Sequence, residues 1–158
     1  MLGVIISNRL SVTEHVSSVI SKYAQSLYAM KVLRCHGMCE DALKVIFKSV
    51  IVAKILYASL AWWGFATISN KQRFESFIRR AIRLGFYAGG NPAVADLVAN
   101  LDETLFASVL ANGSHVLHNL LPDRNDCSYS LRPKCHARAL PGRRDNRNFF
   151  DRHLFKDM

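Results

Sequence analysis

The longest apolar pattern in the chain covers residues 42–65, ALKVIFKSVIVAKILYASLAWWGF. Wound as a helix, Val45, Ile46, Phe47, Val50, Ile51, Val52, Ile55, Leu56, Tyr57, Leu60 and Trp62 point in nearly every direction, and only Lys44, Lys48 and Lys54 interrupt them. A helix that is apolar almost all round is buried among other elements. A membrane span is the competing reading, since about 20 mostly apolar residues suffice for one. Lys48 and Lys54 argue against it, because a lysine near a bilayer centre costs roughly 2.5–3.5 kcal/mol. The pattern predicts a core helix around which the other elements pack.

The flanking patterns are amphipathic. Ser11-Val12-Thr13-Glu14 has the S-x-x-E form of a capping box. Val16, Val19, Ile20, Tyr23, Leu27 and Met30 then recur at helical spacing, with Lys22, Lys31 and Arg34 off the stripe or near its end and Gly37 as its stop. The short connection to residue 42 makes these two helices antiparallel neighbours. Beyond the long run, Ser69-Asn70-Lys71-Gln72 reads as a second box, followed by the stripe Phe74, Phe77, Ile78, Ala81 and Ile82, with Gly85 as stop. Pro92, ending the loop Gly89-Gly90-Asn91-Pro92, suits a first helical position. A short helix over 93–99 and a longer one over 103–120, weakened by Gly113, complete the helical part.

The two ends differ from this core. LGVII at residues 2–6 is β-branched and short, which favours a strand. A lone strand leaves its backbone groups unpaired, so its neighbours are expected outside this chain. From Pro122 onward nine basic residues face five acids, and apolar residues are few before Phe149-Phe150 and Leu154-Phe155. That end reads as a basic, poorly ordered tail with an apolar anchor. The expected fold is mainly α: a strand in 1–7, a helical bundle over 8–86, further helices over 87–121 and the tail over 122–158.

Composition narrows the setting. Half of the 158 residues are apolar, enough for a real core. MLGVIISNRL lacks the basic start and long apolar run of a signal peptide. An intracellular location, nucleus or cytoplasm, is therefore expected, with the four cysteines reduced. Lys plus Arg outnumber acids 21 to 12, a net charge of +9, which calls for a polyanionic partner. On charge alone, nucleic acid or an anionic membrane surface fits that role; nucleic acid is the expected partner, and no membrane.

The chemical candidates are uneven. Cys35, His36 and Cys39 form one group and Cys127, Cys135 and His136 another. Zinc needs four converging ligands, usually with C-x2–4-C spacing. Cys35-x3-Cys39 is permitted but Cys127-x7-Cys135 is loose, so these read as ordinary thiols and surface histidines, with no metal. No G-x-S-x-G elbow, phosphate loop or G-x-G-x-x-G occurs. Asp102 and Glu103 sit at the predicted start of a helix, where carboxylates favour its dipole. No catalytic residue is expected. The dense set Lys71, Arg73, Arg79, Arg80 and Arg83, balanced only by Glu75, suits phosphate contacts that release counterions whatever the sequence. Lys48 and Lys54 must snorkel out of the core helix or meet a phosphate. Arg132, Arg143 and Arg144 extend the basic set into the tail. Trp62 and Trp63 could stack on bases, but at the end of a buried helix they read as packing residues.

Several strings together are distinctive: LGVIIS, LSVTEHV, VLRCHGM, VIVAKILYASLAWWGF, QRFESFIRRAIRLGFY, SYSLRP and NRNFFDRHLFKDM. In this order, over nearly the whole chain, they resemble the C-terminal part of a non-LTR (LINE-type, jockey-like) retrotransposon reverse transcriptase. The resemblance implies that Leu2, Gly3 and Val4 belong to the hairpin that ends the palm and grips the primer. It implies that the helices after them form a thumb against the RNA/DNA template-primer, and that the tail closes the polyprotein. The family's polymerase carboxylates lie upstream, in a Tyr-x-Asp-Asp turn and an earlier Asp, and this chain has no adjacent Asp pair. The implied object is a thumb-and-tail fragment with no cofactor of its own, Mg²⁺ belonging to the intact parent, and with the missing palm as a further partner. Some related elements carry a C-terminal zinc knuckle, whose compact spacing is not reproduced here. The competing expectations are a helical protein-interaction module and a remnant of a degenerate element.

Overall fold

The computed structural model describes residues 3–124, 138–142 and 145–156. The chain is mainly helical, as its pattern predicts, and divides into two compact units, Met1–Val98 and Ala99–Met158.

In the first unit, α1 (Thr13–Cys35) packs against α2 (Glu40–Ile46) and α5 (Ile68–Arg83). Its stripe Val16, Tyr23, Leu27 and Met30 is buried against Leu43, Phe47, Ile51, Ile55, Phe74, Phe77 and Ile78. Both predicted glycine stops hold. Gly37 and Gly85 adopt φ of 89° and 77°. At α1 the amides of Gly37 and Met38 bond back to Arg34 and Leu33, and at α5 those of Gly85 and Phe86 bond back to Ile82 and Ala81. This paired pattern needs a left-handed residue at its centre, which glycine adopts without steric cost.

The start signals fall elsewhere than the sequence pattern places them. Val12 occupies the N-cap of α1, and Ser11 Oγ accepts the Thr13 amide at 3.4 Å without the reciprocal Glu14 bond. Thr67, two residues before Ser69, caps α5 by accepting the Asn70 amide at 3.2 Å.

The long apolar run is corrected in two ways. It is not one helix: α2 passes into a π-helical stretch (Phe47–Val52) and α3 (Ala53–Leu56), breaks at Tyr57-Ala58, and resumes as α4 (Ser59–Trp62) and a 3₁₀ turn (Trp63–Phe65). Ala58 adopts φ 51°, which stops the helix. Trp62 Nε1 then donates to the Tyr57 carbonyl at 3.1 Å and its indole inserts into the core beside His15, Trp63 and Phe74. The run is also buried on one side only. Leu43, Phe47, Ile51, Val52 and Ile55 face the core, while Val45, Val50 and Tyr57 are 64%, 51% and 48% exposed. Glu40–Phe65 is long and apolar enough to cross a membrane by length and composition, a test that core helices of soluble proteins also pass.

The expected strand has no counterpart among the described residues. Residues 3–6 carry no regular structure; the Ile5 amide donates to His15 Nδ1 at 3.4 Å, and Val4 packs on the core. A strand needs a second strand to complete its ladder, and the described residues offer none.

In the second unit, the two helices expected over 93–99 and 103–120 are one, α6 (Val94–Ala111), whose first residues belong to the unit before it. Ala93 rather than Pro92 precedes it, its carbonyl receiving the Leu97 amide. Gly113 lies beyond its end, and the rest of the expected helix is reduced to a 3₁₀ turn (His118–Leu120). The predicted apolar anchor is real and ordered: α7 (Phe149–Leu154) packs Phe149, Phe150, Leu154 and Phe155 with Phe106, Val109 and Leu121. Asn148 caps α7, accepting the Phe150 amide at 2.9 Å. Asp102 is mid-helix and buried, not at a helix start, and its carboxylate lies 3.2 Å from Arg152 Nη2 and 3.7 Å from His153 Nε2. Glu103 pairs with Lys156 on the exposed flank.

Candidate nucleic-acid interface

The candidate surface is built on α5, whose sequence ISNKQRFESFIRRAIR buries Asn70, Phe74, Phe77, Ile78 and Ala81. At about 100° per residue, Arg73, Arg79, Arg80 and Arg83 fall with Ser69, Gln72 and Ser76 inside an arc of roughly 120° on the opposite side. All seven are exposed, and the arc holds no carboxylate. Glu75 lies outside it, and its charge acts instead on Tyr87, whose phenol it helps burial to push upward.

The helix is held firmly beneath this face. At its start Asn70 Nδ2 donates to Thr13 Oγ1 at 3.2 Å. At its end Arg34 of α1 donates to the Leu84 carbonyl at 2.7 Å while its guanidinium lies 4.2 Å from the centre of the Phe86 ring. A last-turn carbonyl without an intrahelical partner is thereby satisfied. Both ends of α5 are thus tied to α1.

Two of the face's arginines are steered by hydroxyls: Arg73 Nη1 donates to Ser17 Oγ at 3.0 Å, and Arg79 Nη2 to Ser76 Oγ at 3.1 Å. Arg73 and Arg80 border an open groove of about 510 Å³ between α1 and α5, with Ile20, Ala24 and Phe77 on its apolar walls. Arg79 and Arg83 line a second hollow with Ser76 and Ile82. Guanidinium donors spaced along one helix are suited to phosphate oxygens.

The other expected contacts are dispersed. Lys71 stands on the far flank of α5 with its ammonium 5.2 Å from the Trp63 ring centre. Lys48 and Lys54 are exposed on the outward side of the helical 40–56 segment, so neither has to snorkel from a core, and neither lines the α5 hollows. Gly3 is exposed and Val4 half-buried. Leu2, Arg132, Arg143 and Arg144 lie outside the described residues. Trp62 and Trp63 are packing residues, at 1% and 5% exposure.

Cys35 and Cys39 are exposed free thiols, and Cys127, Cys135 and His136 lie outside the described residues. Among the described residues no three His, Cys, Asp or Glu side chains are grouped to hold a metal. Burial shifts the titration of groups in the core. Burial lowers His15, helped by the charge of Lys22, and burial pushes Tyr23 up to about 12.

Several contributors escape a reading of charge and hydropathy alone: Arg34, Ser17, Ser69, Gln72 and Ser76. The last three share the arginines' face at helical spacing, which is the signal that could have found them. Arg34 and Ser17 act across a tertiary contact that no local pattern records. Comparison with family models, with curated proteins and with solved structures finds no match for this chain.

Proposed function

We propose that this chain is a non-catalytic nucleic-acid-holding unit, the thumb-like part of a non-LTR retrotransposon reverse transcriptase, which grips an RNA/DNA template-primer through the outer face of α5. The observation that carries the reading is the one-sided arc of Arg73, Arg79, Arg80 and Arg83, free of carboxylates, on a helix fastened at both ends. Rigid support matters because an arginine held in place loses less freedom on meeting a phosphate. The chain carries no Asp-Asp pair, so on this reading primer extension with added Mg²⁺ or Mn²⁺ yields no templated product.

A second reading, a protein-interaction module, draws on the exposed apolar side chains of Tyr28, Val32, Leu33, Val45 and Val50. One titration separates the two. A fluorescent RNA–DNA hybrid is titrated with the parent chain, with Arg79, Arg80 and Arg83 changed to Gln, and with Tyr28, Val32 and Val45 changed to Ser. The nucleic-acid reading expects the first variant to lose most affinity and the second to bind like the parent. Equal binding by parent and arginine variant would move the function to the apolar face.

A further inference from the structure

The groove between α1 and α5 has a mixed chemistry: cationic, neutral polar and apolar. Arg73 and Arg80 sit seven residues apart on its border, about 10 Å along a helix. Between and beside them stand Ser69, Gln72 and Ser76, neutral groups that both donate and accept hydrogen bonds. These side chains are not consumed by the helix start, because Thr67 takes the capping role. Ser76 Oγ accepts from Arg79 and keeps its own O–H to give. Ile20 and Ala24 of α1, with Phe77 of α5, supply an apolar wall. Neutral hydroxyl and amide side chains reach phosphate oxygens as well as sugars, and bases lying out of the stack rest on exposed aromatic faces. Neutral donor-acceptors beside and between two arginines, facing an apolar wall, also match a sugar: an apolar ring face with a hydroxyl on its edge.

We propose that this groove seats the ribose–phosphate backbone of an RNA strand, with Ser69, Gln72 and Ser76 hydrogen-bonding 2′-hydroxyls while Arg73 and Arg80 hold the flanking phosphates. The 2′-hydroxyl is both donor and acceptor and is the group that separates RNA from DNA at a given site. A-form duplexes display it in a wide, shallow minor groove that a helix face can lie against. The proposal rests on the nucleic-acid reading and adds to it which strand this groove selects and by which atoms.

The test uses the full chain and fluorescence anisotropy with three duplexes of one sequence: all DNA, an RNA–DNA hybrid, and a hybrid whose RNA strand carries 2′-fluorine. The fluorinated strand keeps the A-form shape without the donor. Two or three hydrogen bonds to hydroxyls should make the natural hybrid bind roughly five- to thirtyfold tighter than DNA, with most of that ratio lost on fluorination. In the Ser69→Ala, Gln72→Ala double variant the ratio should fall toward one while the salt dependence stays, and Arg73→Gln, Arg80→Gln should weaken all three duplexes together. Equal binding of hybrid and DNA with a steep salt response would overturn the ribose assignment and leave the nucleic-acid reading standing. An undiminished preference in the fluorinated hybrid, or in the double variant, would also overturn it. No binding to any duplex would remove both.

Discussion

Ala58 shows how much of this architecture turns on single residues. Its φ of 51° is a conformation that disfavours any residue with a Cβ, by roughly 1–2 kcal/mol. The strain is offset a few residues downstream, since the break lets Trp62 bury its whole indole and satisfy the Tyr57 carbonyl. Ala58→Gly should therefore stabilise the Met1–Val98 unit by about 0.5–1 kcal/mol, less than the full relief because glycine also widens the unfolded ensemble. Urea unfolding followed by tryptophan fluorescence measures it; a loss of stability would mean that the left-handed residue is misplaced. His15 stands against the same indole, and burial, with Lys22, lowers its pKa. The unfolded chain then takes up a proton that the folded chain refuses, so stability falls as pH drops below about 6.5 and levels off below the folded value. The urea midpoint of His15→Gln should shift less than the parent's between pH 7.5 and 5.5.

Among elements, the sequence pattern is most reliable where a stripe and a glycine stop agree. α1 and α5 are legible for that reason, since Gly37 and Gly85 end them where the stripes end. The 42–65 run is legible as apolar and illegible as broken, because a left-handed alanine carries no composition signal. Its apolar outer positions, Val45, Val50 and Tyr57, look like core until tertiary packing shows that only one side has neighbours. Asp102 fails for a related reason: its partners, Arg152 and His153, are far along the chain in α7. The start of α5 offers a sharp test of local chemistry against tertiary placement. Thr67→Ala should cost about 1 kcal/mol, because an amide donor loses its acceptor, while Ser69→Ala should change the melting temperature little. Equal losses at both positions would restore the cap at Ser69.

At the scale of the molecule, a net charge of +9 favours the proposed polyanionic partner but does not say where it would sit. The site was half legible. Arg73, Arg79, Arg80 and Arg83 stand out by density, whereas Lys71 shares that density and lies on another flank, and Lys48 and Lys54, expected to snorkel from a core helix, line neither α5 hollow. What separates them is angle around a helix and the fastening of that helix by Arg34 and Asn70, neither of which charge counting sees. The most direct measurement is the salt dependence of binding to an RNA–DNA hybrid, by anisotropy at several ionic strengths. With about four to six phosphates neutralised, log K should fall against log salt with a slope of roughly −3.5 to −5.5. Changing Arg79, Arg80 and Arg83 to Gln should remove up to about three units of that slope, while an unchanged melting curve shows the fold intact. A flat response in the parent, or a triple variant with the parent's slope, would contradict the account.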